Sequence, residues 1–395
     1  MAEGIGILND SEHLGTGDRL PHGGRLREAA CRYGIPPEAW LDLSTGINPH
    51  AYPVPAIPLR AWARLPEDDD GLIDAARAYY EAPHVLPVAG SQAAIQALPP
   101  LRGRSRVGII TPGYAEHARA WRRAGHEVIG VPVQALGNAA RQVDVLVVIH
   151  PNNPTGDRFA VETLLGWHAG LATRKGWLVV DEAFIDPTPI DSLAAYCARP
   201  GLIVLRSLGK FFGLAGARVG FVLGEAALLK RLTEALGPWP VAGPSRAVAA
   251  EALADARWQS TMCTALPEAS ARLAQLLSAH GLVPTGGCGL FQWVVTLEAN
   301  AIHEWLAREG ILTRLFHDPP SLRFGLPGTE PSWRRLEAAL TVACTGRGGD
   351  EGTNPDGTGH ELRCRQEPAG HGALLGTQAV RHAGGAVQAA EHGAQ

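Results

Sequence analysis

Ser207-Leu208-Gly209-Lys210, followed by Gly213-Leu214-Ala215-Gly216-Ala217-Arg218-Val219-Gly220, is the stretch on which the fold turns. An apolar run, Leu202 to Leu205, leads into it and reads as a buried strand. A lysine placed just after such a strand, in a glycine-rich loop, with an arginine eight residues on, has two readings. One is an ordinary solvated loop lysine, the usual fate of that residue. The other is an amine that forms an imine. Only a neutral amine can do that, so its site must lower the lysine pKa. In the second reading Ser207 and Arg218 hold a phosphate, because the rigid fork of arginine matches phosphate oxygens.

Outward from this loop, more short apolar runs end in polar clusters. Val107 to Ile110 ends at Thr111-Pro112-Gly113-Tyr114, and Val143 to Ile149 ends at His150-Pro151-Asn152-Asn153-Pro154-Thr155-Gly156. Trp177 to Val180 runs into Asp181-Glu182, and Val219 to Leu223 follows Arg218. Continuous apolar runs of this length suit strands buried on both faces, in a mainly parallel sheet covered by helices. Ligands of such α/β sheets gather at the carboxyl ends of the strands. Asp181 there can pair with a protonated ring nitrogen and keep the ring an electron sink, or it is a strand-end carboxylate. Pro and Gly force a turn around Asn153, from which its amide can reach a cleft. Gly90-Ser91-Gln92 reads as a loop entering a helix, whose backbone N–H groups suit phosphate. Tyr114 can stack on a ring face or be a half-buried loop tyrosine.

The 395 residues carry a net charge of −4 and 46% hydrophobic residues, enough for two domains. There is no basic footprint for nucleic acid. No apolar run is long enough to span a membrane, and no signal-peptide core is evident, so the cytoplasm is expected. The six cysteines form no CxxC pair and read as thiols; the 15 histidines show no ligand spacing, so no metal is expected. We expect a flexible leader over 1–20, an N-terminal segment packing on the small domain over 21–70, a large domain over 71–240, a smaller α+β domain over 241–345 and a disordered tail over 346–395. A helix is expected over Leu26 to Tyr33, a strand at Leu41 to Ser44, and an extended connector through Pro49, Pro53, Pro55 and Pro58. Residues 245–280 read as helical, with strands at Leu290 to Leu297 and Leu322 to Leu326 flanking a helix over Ala301 to Glu309.

The order of these features — phosphate loop, aromatic residue, Asn in NPTG, Asp, Ser-x-x-Lys, Arg — resembles the fold-type I, aspartate-aminotransferase-like enzymes that use pyridoxal 5′-phosphate (PLP). The resemblance covers about residues 20–345. It implies a large domain with a mainly parallel, seven-stranded type of sheet, a small α+β domain and a homodimer. By position, Lys210 is the imine-forming lysine, Asp181 meets the pyridine nitrogen and Asn153 the phenolic oxygen. Gly90, Ser91, Gln92, Ser207 and Arg218 hold the phosphate, and Tyr114 stacks. Phe184 stands where many relatives have Tyr, and Leu65 where some have a Tyr that reaches the neighbouring subunit's phosphate.

His22-Gly23-Gly24, Leu41-Asp42-Leu43-Ser44-Thr45-Gly46-Ile47-Asn48-Pro49, Thr111 to Glu116, Asp181 to Asp186 and Gly237-Pro238-Trp239 look closer still to one branch, the threonine-phosphate decarboxylases of cobalamin biosynthesis. That resemblance implies loss of CO₂ from L-threonine O-3-phosphate. Arg323 matches the branch's carboxylate-binding arginine, and Arg314 and His22 are the candidates for the substrate phosphate. Thr45-Gly46 replaces the Ala-Asn of some members, and Arg25 an Asn. The alternatives are a related aminotransferase, such as one for histidinol phosphate, and a non-catalytic regulator. The intact Lys210–Asp181–Asn153 set and the lack of an appended helix-turn-helix argue against the latter.

Overall fold

The computed structural model describes residue 20 and residues 22–345; apart from residue 20 the expected leader lies outside these, as does the expected tail. The first strand, β1 (Leu41–Asp42), pairs in parallel with a strand near the other end of the chain. Seven strands then form one sheet: β2 (Val85–Val88), β3 (Arg106–Thr111), β4 (Glu127–Pro132), β5 (Val145–Ile149), β6 (Trp177–Asp181), β7 (Leu202–Ser207) and β8 (Gly220–Leu223). Their spatial order is β2-β8-β7-β6-β5-β3-β4. Among β7, β6, β5, β3 and β4 every pairing is parallel, whereas β8 runs antiparallel to both of its neighbours.

The apolar runs behave as their composition requires. Every residue of β5 and β6 is buried. Alternation sends Leu146, Val148, Leu178 and Val180 into one core, and Val145, Val147 and Val179 into the other. Helices cover the faces, among them Ser91–Ala97, Ala115–Arg123 and Val161–Ala172. A second, antiparallel sheet contains β9 (Gly286–Cys288), β10 (Phe291–Val295), β12 (Arg314–His317) and β13 (Pro320–Gly325), in the order β12-β13-β10-β9. Between β10 and β12, β11 (Ile311–Leu312) is the partner of β1.

Three expectations change in detail. The helical stretch over 245–280 is two helices, Gly243–Ala254 and Ala256–Ala279. The break falls at Asp255, whose carboxylate accepts from Trp258 N at 2.9 Å and caps the second helix. The strand expected over Leu290 to Leu297 is confined to Phe291–Val295, because the chain turns toward the helix Ala299–Arg308. Cys197, Cys263 and Cys288 are free thiols, but Cys31 is disulfide-bonded. Lack of a CxxC spacing says nothing about pairing between distant positions.

Candidate active site

One edge of the large sheet collects the chemistry. β3, β5, β6 and β7 all end there, which delivers Tyr114, Asn153, Asp181 and Lys210. Because β8 is reversed, its beginning lies at the same edge: Gly220 is opposite both Ser207 and Val88. Arg218 therefore arrives just before β8, and Gly90 just after β2. The reversal, invisible in the sequence, is what joins the first phosphate-loop candidates to Ser207. The approach is tight. A Cβ at Gly220 would lie 2.4 Å from Ser91 N, and one at Gly90 would lie 2.7 Å from Arg218 Nη2. Arg218 itself takes φ 53°, a left-handed conformation that costs a non-glycine residue energy and that packing here imposes.

Lys210 is half-buried, its Nζ 5.3 Å from the centre of the Phe184 ring. Burial pushes its pKa down to about 8; Arg323 and Arg218 push the same way, and Asp181 partly opposes them. The neutral amine that imine formation needs is therefore within reach near neutral pH. The lysine loop is held from outside by the N-terminal segment: Asn48 N donates to Lys210 O at 3.0 Å, and Asn48 Nδ2 to Phe211 O at 2.8 Å.

Asp181 is buried and has two partners. Ala183 N donates to Oδ1 at 3.1 Å, and His117 Nε2–H donates to Oδ2 at 2.9 Å, since a carboxylate can only accept. Asn153 Oδ1 accepts from Arg323 Nη1, which leaves its amide N–H₂ as the free end. Arg323 also donates from Nη2 to Ser44 O at 2.8 Å, while its buried Nε has no partner. Its pKa is lowered to about 10, first by burial and then by Arg314.

Phe184 is buried edge-on against Phe291, 5.2 Å between centres. This explains Gly46: a Cβ there would come 2.8 Å from Phe184 Cε1 and 3.1 Å from Phe291 Cδ1. No side chain fits where some relatives carry Asn. Behind Phe184, Arg206 is buried between Glu182 at 3.0 Å and Asp186 at 2.5 Å. Burial alone would lower the Arg206 pKa, but the two carboxylates raise it above its ordinary value. The pairs fix the loop that follows Asp181.

A cavity of about 210 Å³ opens beside this group, lined among others by His22, Arg25, Ser44, Arg314 and His303. His22 and Arg314 are thus brought together, next to the Ser44 carbonyl that accepts from Arg323. Burial, then Arg25, lowers the Arg314 pKa. His22 Nε2–H donates to Glu116 Oε1 at 2.9 Å. Tyr114 Oη donates to Gln92 Oε1 at 3.1 Å and Gln92 Nε2 donates to Glu116 Oε2 at 3.1 Å, so both ends of the Gln92 amide have protein partners.

Sequence reasoning missed His117 as the partner of Asp181 and gave Glu116 no role. A signal existed. In the helix Ala115–Arg123, Glu116, His117, Ala120 and Trp121 are the buried residues, and that helical spacing puts two titratable side chains on the inward face.

The donor set fits a phosphorylated pyridine aldehyde. It has a half-buried amine of lowered pKa, a carboxylate backed by a histidine, and a guanidinium tight against a glycine loop. It also has an arginine whose buried Nε awaits an acceptor. The chain matches the family model for aminotransferase class I and II over residues 71–340. It is 59% identical to a threonine-phosphate decarboxylase of Pseudomonas aeruginosa, over 81% of this chain and 97% of that protein. It is 43% identical to one of Sinorhizobium, over 81% and 97%. A histidinol-phosphate aminotransferase of Aeromonas salmonicida is 28% identical over 80% and 93%. The solved L-threonine-O-3-phosphate decarboxylase from Porphyromonas gingivalis superposes with a TM-score of 0.65 at 18% identity, over 76% and 98% of the two chains.

Proposed function

The chain belongs to the aminotransferase class I and II family, and on that premise we propose that it removes the carboxylate of L-threonine O-3-phosphate. The products are CO₂ and (R)-1-amino-2-propanol O-phosphate, an intermediate of cobalamin biosynthesis. It is a PLP-dependent carboxy-lyase. The observation that carries the substrate reading is the cavity lined by His22 and Arg314 immediately beside Ser44 and Arg323. It offers one anion pocket next to one carboxylate clamp, as a phosphorylated amino acid requires.

PLP, when bound, supplies an aldehyde for the substrate amine and a ring that accepts the electron pair left at Cα. The protein contributes placement and protons. Asp181, backed by His117, holds a proton at the ring nitrogen; Asn153, turned by Arg323, donates to the ring oxygen. Gly90, Ser91 and the Gln92 backbone, with Ser207 and Arg218, hold the cofactor phosphate, and Tyr114 covers the ring face. His22 and Arg314 take the substrate phosphate and Arg323 the carboxylate, so posture is set by two anions at fixed places. Anchoring the carboxylate at Arg323 and the phosphate at His22 and Arg314 would select Cα–carboxylate as the bond to be cleaved, with release of CO₂, and Lys210 Nζ would return a proton to Cα.

The enzyme acts as a cytoplasmic homodimer. Val54, Leu59, Trp62 and Leu65 are exposed on the segment around the helix Leu59–Ala63, with Leu59 80% and Trp62 65% accessible. Such a patch calls for a covering partner. Incubating the PLP form with L-threonine O-3-phosphate, without any 2-oxoacid, should release one CO₂ per amine product. Accumulation of the pyridoxamine form with a 2-oxo product would instead establish the aminotransferase.

A further inference from the structure

Glu116 has no place in the chemistry above, yet it is a buried carboxylate at the edge of the site. Burying such a charge is costly unless it is hydrogen-bonded, and Glu116 has three partners. Oε1 accepts from His22 Nε2 at 2.9 Å; Oε2 accepts from Gln92 Nε2 at 3.1 Å and Gln96 Nε2 at 3.3 Å. Gln92 passes the contact on, its Oε1 accepting from Tyr114 Oη at 3.1 Å. His22 and Tyr114 are neighbours, their ring centres 6.0 Å apart. One carboxylate thus ties the imidazole of the anion cavity to the ring over the cofactor site.

We propose that Glu116 is the positioning residue of the anion pocket: it turns His22 so that the imidazole binds the substrate phosphate as a donor, and through Gln92 it locks Tyr114 in register with that pocket. Glu116 does not line the cavity, whereas His22 does. Its influence on a bound anion therefore runs through the imidazole. With Nε2–H committed to the carboxylate, Nδ1 is the nitrogen left for the cavity. The fully ionised phosphate group of the substrate offers only acceptor oxygens, so Nδ1 carries a proton when it binds that form. The ring is then an imidazolium between two anions, and Glu116 supplies the counter-charge on its far side. A neutral amide at 116 would keep a hydrogen bond but lose that charge. The structural and electrostatic roles are therefore separable.

This rests on the phosphate assignment above, and the test separates the two. Inorganic phosphate is titrated into wild-type and Glu116→Gln holoenzyme by calorimetry, and both are assayed with L-threonine O-3-phosphate. Loss of one charge-assisted contact should weaken phosphate binding and raise KM together by about tenfold, with kcat changed by less than about threefold. Phosphate affinity within about twofold of wild type, or a fall in kcat at constant KM, overturns the proposal. If the variant does not fold, ¹⁵N-histidine spectra of the wild-type holoenzyme decide, with His22→Gln identifying the signal. Both His22 nitrogens should read as protonated at saturating phosphate, and an unmoved His22 signal refutes the idea. Wild-type enzyme that binds phosphate but releases no CO₂ refutes the decarboxylase reading and leaves the role of Glu116 standing.

Discussion

Lys210 shows how a residue's setting decides its chemistry. With a pKa of about 8 instead of 10.5, about one Lys210 in ten is neutral at pH 7, against fewer than about one in a thousand for a free lysine. The rate at which apoprotein captures PLP, followed by imine absorbance, should climb about tenfold per pH unit and level off near pH 8. A rate still climbing at pH 10 would show that burial does not tune this amine. Stability carries the same sign. Between pH 8 and 10.5 the unfolded chain holds a proton that the folded apoprotein has released, so apoprotein stability should rise across that window. That Lys210, Asp181 and Asn153 lie at one strand-end edge was legible in the sequence, because each sits in a local motif whose turn and strand end are themselves readable. Glu116 and His117 were not. Their partners lie 94 and 64 positions away, and nothing local distinguishes a helix residue that faces a site from one that faces a core.

At the scale of elements, the parallel strands could be read from their apolar runs, but the direction of β8 could not, since strand polarity is set by tertiary pairing. β4 and β12 also went unread: the first is exposed or half-buried at its start, the second carries half-buried and exposed residues throughout, and neither is a continuous apolar run. The reversal of β8 makes a sharp prediction. Gly220→Ala places a methyl against Ser91 N and Gly90 C, an overpacking worth about 1–3 kcal/mol. The phosphate loop must yield, so PLP affinity, measured by absorbance titration, should fall about tenfold or more. Gly166→Ala is the control. It lies in the helix Val161–Ala172 with nothing within 4 Å of an added Cβ. Its thermal midpoint should hold or rise, because alanine favours a helix over glycine, and its PLP affinity should not move. Equal losses in both variants would mean that the β8 approach does not shape the loop.

For the molecule as a whole, the exposed Leu59 and Trp62 carry the assembly prediction. Trp62→Glu puts a charge into the proposed interface, where a buried tryptophan is worth at least about 2 kcal/mol. Sedimentation velocity should show the dimer giving way to monomer at concentrations where the wild type stays paired. An unchanged sedimentation coefficient would place the interface elsewhere. Composition announced no such face: Val54 stands in the proline-rich stretch that reads as an extended connector, and Leu59, Trp62 and Leu65 follow directly on it.

The pairing of Leu41 with Ile311 has a bearing on biosynthesis. As the chain leaves the ribosome, everything needed for the sheet edge that presents Asp181 and Lys210 is available once residue 223 has emerged. His22 and Asn48 can by then already meet Glu116 and Lys210, but Leu41 and Ser44, although translated early, wait for β11 and β13 before their own partners exist. The segment made earliest is therefore only half fastened until the later strands arrive. A nascent chain halted between those points carries a formed lysine loop and no pocket for the substrate's anions.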